Sequence, residues 1–116
     1  MRFLLTFLMN SSAMPDTALN EKCFAEMMSF VDDLKASGQL VFDSQVLPSP
    51  APVRLSQRDG EIRIDQVAHD VVLGGFFVIG AGSVDDAMDI ARRCPHTQVG
   101  PIEVRALNET DQNAYP

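Results

Sequence analysis

The sequence lacks several features that would point directly to a function. It has no tryptophan, one tyrosine, two cysteines and two histidines in 116 residues. Neither Cys23 nor Cys94 lies in a Cys-x-x-Cys or Cys/His cluster, so no metal site is predicted. Both cysteines fall on predicted helices, and we expect small buried hydrophobic residues in a reducing compartment rather than a disulfide or a reactive thiol.

Positive charge is also scarce. Nine basic residues stand against 16 acidic ones, for a net charge of −7. An acidic surface repels phosphate backbones, so nucleic acid is not expected as a partner. No apolar run is long enough to span a membrane. The run at 3–9 suits a strand better than a secretion signal, which predicts a cytoplasmic protein without a membrane partner.

What is present is a pattern of two similar halves. Apolar residues make up 46% of the chain, and its length fits one domain. Each half reads as an apolar strand, an amphipathic helix and a second strand. The first half covers 3–9, a helix from 15–17 to Gly38, and 39–47. The second half covers 76–81, 83–94 and 100–107.

The apolar residues of the two helices predict which side of each faces the core. In the first helix, Cys23 and Phe30 widen a stripe at helical spacing that consists of Phe24, Met27, Met28, Val31 and Leu34. In the second helix, the stripe consists of Val84, Ala87, Met88, Ala91 and Cys94. Ser83, with Asp86 three residues later, is a capping-box pattern at the start of the second helix.

A β-hairpin separates the two halves. Asp59-Gly60 is a two-residue sequence that favours positive φ angles, and it lies between alternating strands in residues 53–65. The register places the apolar residues on one face, which we expect to be buried: Val53, Leu55, Ile62 and Ile64. Arg54 and Arg63 lie on the other face, where they either hold an anionic ligand or pair with acidic residues across a dimer.

This order of elements predicts a ferredoxin-like α+β fold, a split βαβ arrangement with an inserted hairpin. Both helices would cover one face of an antiparallel sheet. Strands 3–9 and 76–81 are apolar on both faces, so a homodimer that packs sheet against sheet is the simplest way to cover the second face. We assign residues 1–107 to this domain and 108–116 to a polar tail.

Four short motifs carry a family resemblance: "RDG" at 58–60, "LGGFFVI" at 73–79, "RRCP" at 92–95 and "IEVR" at 102–105. In this order and spacing they resemble the DGPF family, also called YCII-related, of small bacterial proteins. The resemblance implies a dimeric α+β barrel with a small pocket between the sheet and its connecting loops. Some members resemble partners of sigma factors, which adds a transcription-related protein to the expected partners. The eponymous Asp-Gly-Pro-Phe run is reduced here to Asp65, followed by Gln66 and Val67.

The link "DQVAHD", residues 65–70, contains the candidate catalytic residues His69, Asp65 and Asp70. A carboxylate can orient an imidazole for acid–base chemistry near neutral pH, and related YCII proteins carry a His–Asp pair. The alternative is a solvated loop histidine, because adjacent residues of an extended chain point to opposite sides. A Cys94–His96 nucleophilic pair is a weaker alternative.

The candidate ligand-binding residues are Asp43, Arg54, Arg63, Gly74 and Gly75. Asp43 is a polar residue in an apolar strand and faces either a cavity or solvent. Gly74 and Gly75 precede a strand, whereas phosphate-binding glycines open a helix, so they predict close backbone approach or a bulge.

Two functions are consistent with these patterns. The first is a homodimeric module that binds a small molecule or regulates a protein partner. The second is a small acid–base or hydrolase-like enzyme that uses His69 with Asp65 or Asp70. The sequence predicts no cofactor and leaves open whether the protein is an enzyme.

Overall fold

The structure is a computed structural model that describes residues 1–10, 17–47, 52–67 and 71–108. These residues form six strands, two α-helices and a short 3₁₀ turn. In chain order they are β1 (Arg2–Asn10), α1 (Thr17–Ala36), β2 (Leu40–Gln45), β3 (Val53–Arg58), β4 (Glu61–Gln66), β5 (Val71–Gly80), α2 (Val84–Arg93), the 3₁₀ turn (Pro95–Gln98) and β6 (Ile102–Ala106).

Four strands form one antiparallel sheet in the order β2-β5-β1-β6. β5 lies between β1 and β2, which α1 connects, and β1 lies between β5 and β6, which α2 connects. This interleaving of two βαβ units is the ferredoxin-like arrangement, so the predicted α+β fold class is confirmed. β3 and β4 form a separate hairpin, inserted between β2 and β5.

The core lies between this sheet and the two helices. Phe3, Leu5 and Phe7 alternate along β1 and are buried. Ile79 and Phe77 lie directly opposite Phe3 and Leu5 on β5 and are buried with them. Burying a side chain of this size stabilises the fold by about 1.5–3 kcal/mol. The helices complete the core with Phe30, Leu34, Ala87, Ile90, Ala91 and Cys94, the last just beyond α2.

The opposite face of the sheet, which we call the outer face, is apolar as predicted. Leu4, Thr6, Phe76 and Val78 alternate with the core residues and therefore point away from the helices. All four are half-buried. Phe42 lies opposite Val78 on β2 and is 55% exposed. The outer face is therefore open at its β2 edge in the single chain.

The ends of the helices follow the predicted signals. α1 ends in a Schellman arrangement: Gly38 has a φ of 74°, its N–H donates to Lys35, and the N–H of Gln39 donates to Leu34. At the start of α2, the Ser83 hydroxyl accepts a 3.2 Å hydrogen bond from the N–H of Asp86, as the capping-box pattern predicts.

The buried stripe of α1 is shifted from the predicted one. Phe24 is 65% exposed and Met28 is also exposed, although both were expected to face the core. The buried residues are Cys23, Phe30 and Leu34, spaced seven and four residues apart as one side of a helix requires. On α2 the same shift exposes Val84 and Met88 and buries Ile90.

The hairpin has the predicted register and turn. Leu55 lies opposite Ile64, and Asp59 and Gly60 have φ angles of 53° and 81°. The expected burial of its apolar face is wrong for the single chain, because Val53, Leu55, Ile62 and Ile64 are 56% to 67% exposed. Within the described residues, β3 and β4 pair only with each other. Across all the described residues, no helix is long and apolar enough to cross a membrane.

Candidate functional site

A cleft of about 370 Å³ opens between α1 and the sheet. Its apolar walls come from two strands and one helix: Phe7, Met9, Phe77, Phe24 and Met27. The polar groups along it belong to Asp43, Ser44, Gln45, Cys23 and His96, and the backbone of Gly74 and Gly75 completes the lining. Small-molecule sites have this composition, with mostly apolar walls and a few convergent polar groups.

β2 supplies the carboxylate of the cleft. Asp43 lies opposite Phe77 in the sheet, so its side chain points to the same side as that buried ring. This side faces α1, and Asp43 lines the cleft while its side chain stays exposed. Of the two orientations considered for Asp43, the structure therefore shows the one toward the cavity.

The glycine pair shapes the floor of the cleft. Phe7 pairs with Gly75 and Leu8 pairs with Leu73, so Gly74 is an extra residue that forms a bulge in β5. A Cβ atom on Gly75 would lie 2.9 Å from the carbonyl oxygen of Ser44 on β2. The predicted bulge and close backbone approach are both confirmed.

His96 is the buried polar residue of the cleft, and sequence reasoning did not place it in a binding site. Its side chain is 8% exposed, and Nε2 lies 2.8 Å from the carbonyl oxygen of Leu8. A carbonyl oxygen only accepts hydrogen bonds, so Nε2 carries the proton. Burial lowers the pKa of His96 below its usual 6.5, and the bond to Leu8 opposes this shift. The ring is therefore neutral at pH 7.

The two cysteines are buried, as predicted, and both are free thiols. Burial raises the pKa of Cys94 to about 11, and its thiol lies 3.6 Å from the sulfur of Met27. Burial, with a smaller contribution from Glu26, also raises the pKa of Cys23. The Cys94 thiol is protonated and contacts Met27, and the His96 ring is bound to Leu8, so the two do not form the nucleophilic pair considered as an alternative.

The remaining candidate residues are not brought to the cleft. Asp65 lies on β4 of the exposed hairpin, directly opposite Arg54 on β3, and Arg63 lies on the same polar face. None of these three lines the cleft. His69 and Asp70 lie outside the described residues. Among the described residues, no group of three or more His, Cys, Asp and Glu side chains is arranged to hold a metal ion.

The model of the YCII-related domain family matches residues 1–111. The chain belongs to this family. Among solved structures, it is similar to the 5-chloro-2-hydroxyhydroquinone dehydrochlorinase TftG from Burkholderia phenoliruptrix AC1100, in complex with 2,5-dihydroxybenzoquinone. The similarity has a TM-score of 0.57 and 17% identity, and covers 93% of this chain and 94% of TftG. At this identity it shows a shared fold. Among curated proteins, none matches the sequence.

Proposed function

We propose that this YCII-related protein binds a small, planar organic molecule in the cleft under α1 and acts as a homodimer in the bacterial cytoplasm. The observation that carries the proposal is the convergence of Asp43, Gly74, Gly75 and His96, from separate parts of the chain, on one cleft with aromatic walls. The volume of about 370 Å³ is within the range of small-ligand sites.

The shape of the cleft favours a planar ligand. Phe7 and Phe77 meet edge to face with ring centroids 4.6 Å apart, which gives a rigid wall. Gly75 lets β2 approach β5 closely, so the floor consists of backbone. TftG, which has the same fold, is named for an activity on a hydroxylated aromatic ring and was solved with a quinone, and this supports a ring-sized ligand.

The dimer in this proposal would cover the outer face of the sheet. In the single chain, Leu4, Phe76 and Val78 are half-buried and Phe42 is exposed there. Thr6 lies among them, and its Oγ1 is buried without a hydrogen-bond partner within the described residues. A second sheet on this face would remove the apolar surface from water, which is the usual driving force of obligate homodimers.

The enzyme hypothesis has less support from the described geometry. Asp65 lies on the exposed hairpin, away from the cleft, and His69 and Asp70 lie outside the described residues. Acid–base or hydrolase-like chemistry with these residues stays a prediction. A transcription-related protein partner also stays a prediction, which the described contacts do not test.

The binding proposal is tested with hydroquinone and 1,4-dimethoxybenzene as planar probes. Each is titrated into ¹⁵N-labelled protein, and backbone amide shifts are followed at cleft residues. We expect saturable shifts at residues 43–45 and 74–75. Phe24→Ala, which removes a cleft wall, should weaken binding of both probes, whereas Met28→Ala on the same helix, outside the cleft, should leave it unchanged. If neither probe shifts the cleft residues, the binding proposal is wrong.

A further inference from the structure

The polar atoms of the cleft differ from those of most anion sites, because its charged group is the carboxylate of Asp43. Within the described residues, no lysine or arginine side chain lines the cleft. His96 is neutral and donates its one ring N–H to the carbonyl oxygen of Leu8, so this N–H is already engaged within the protein. A neutral imidazole has its remaining lone pair on the other nitrogen, here Nδ1.

The ring of His96 is held in one position. Phe7 packs against it with ring centroids 5.2 Å apart. Gly100 also lies close to the ring, because a Cβ atom on it would lie 3.1 Å from Nε2 and would collide with the carbonyl oxygen of Leu8. Packing and the bond to Leu8 thus fix the tautomer and the orientation before a ligand arrives, and such preorganisation increases affinity.

We infer that the cleft selects uncharged aromatic molecules that carry a hydroxyl group, with Nδ1 of His96 accepting the hydrogen bond from that hydroxyl. This inference rests on the proposed binding function and specifies its ligand class. The aromatic walls suit the ring of such a molecule, and Nδ1 matches its O–H donor. The Asp43 carboxylate repels an anion in the same space, so phenols are favoured over carboxylates. His96 is therefore a specificity-determining residue.

The test compares three probes that share one ring: hydroquinone, 1,4-dimethoxybenzene and 4-hydroxybenzoate. Dimethoxybenzene lacks the hydroxyl donor, and hydroxybenzoate adds a negative charge. We expect hydroquinone to bind up to about tenfold tighter than dimethoxybenzene, which corresponds to about 1.4 kcal/mol, near the upper end for one neutral hydrogen bond. Hydroxybenzoate should bind more weakly than hydroquinone. The affinities come from calorimetry or amide titration with the full chain.

A second measurement separates ligand recognition from a purely structural role of His96. In protein labelled with ¹⁵N at histidine, hydroquinone should move the Nδ1 resonance of His96 and leave Nε2, which stays bound to Leu8, nearly unchanged. His96→Gln keeps an amide donor for the Leu8 carbonyl and should reduce the preference for hydroquinone over dimethoxybenzene to about one.

The outcomes distinguish the two proposals. Equal binding of hydroquinone and dimethoxybenzene, with an unmoved Nδ1 resonance, contradicts the role of His96 and leaves cleft binding intact. Tighter binding of 4-hydroxybenzoate than of hydroquinone contradicts the preference for an uncharged ligand. The absence of binding by all three probes contradicts cleft binding itself, and the inference with it. If His96→Gln does not fold, the Nδ1 resonance of the native protein still decides.

Discussion

The β1–β5 pair and the β3–β4 hairpin are both antiparallel strand pairs with at least one apolar face, yet their surroundings are opposite. In β1, Leu5 is fully buried under two helices, whereas Leu55 in β3 is 61% exposed. A two-stranded hairpin alone is at best marginally stable in water. An apolar strand face therefore forms a core in one region and an exposed surface in the other, and position in the fold decides which.

The largest expected effect comes from truncating one leucine in each region. Leu5→Ala should lower the free energy of unfolding by about 2–5 kcal/mol, because it leaves a cavity in the core. Leu55→Ala should change the free energy of unfolding of the monomer by less than about 0.5 kcal/mol, because its side chain is already in water. Urea unfolding at low protein concentration measures both. A cost for Leu55→Ala equal to that of Leu5→Ala would show that the hairpin face is buried within the chain.

The second effect tests how closely strands approach at the bulge. Gly75→Ala should lower the free energy of unfolding by about 1–3 kcal/mol. The new Cβ atom would lie 2.9 Å from the Ser44 carbonyl oxygen, so β2 must shift. Gly74→Ala is the matched control, since its Cβ atom would meet ordinary contacts at 3.6 Å. Thermal unfolding of both variants measures the difference, and equal losses would contradict the steric explanation.

The third effect compares the same substitution at two exposed phenylalanines, Phe42 on the outer face of the sheet and Phe24 on α1. Phe42→Lys places a charge on the outer face and should raise the dimer dissociation constant at least about tenfold, which corresponds to about 1.4 kcal/mol. Phe24→Lys, on α1, should leave the dimer unchanged. Light scattering coupled to size exclusion at micromolar concentration measures the mass. A wild-type monomer in that experiment would rule out the proposed dimer.

The smallest effect is a dependence of stability on pH. The folded pKa of His96 is lowered, so the native state resists protonation more than the unfolded chain does. The contribution of His96 to the free energy of unfolding should be constant above pH 6.5. It should fall as the pH drops through 6.5 toward the folded pKa. His96→Gln should flatten this part of the profile relative to wild type. Stability that rises on acidification from pH 7 would contradict the assignment of a neutral, buried ring.

Sequence periodicity was sufficient for the order of the elements and for the hairpin register, because these depend on local patterns. It was insufficient for the buried side of α1. Apolar residues lie on several sides of that helix, and only tertiary packing, such as that of Phe30 on Phe77 and of Cys23 on Pro95, selects the buried side.

The cleft residues are only partly predictable from the sequence, for a similar physical reason. β5 begins at Val71, several residues before the predicted start, because the bulge at Gly74 lets the strand continue through the glycine pair. Asp43, Gly74 and Gly75 could be singled out as unusual residues in their strands. The placement of His96 depends on a bond to Leu8, 88 residues away in sequence, and no local pattern predicts such a contact.

The inserted hairpin leaves the sheet and returns to it at almost the same point. The N–H of Val46, just after β2, donates to the carbonyl oxygen of Gly74 in β5, so the ends of the excursion are held side by side. The free energy of closing a loop changes slowly with its length. We therefore expect that a short turn or a foreign segment can replace the hairpin at this junction without changing the walls of the cleft.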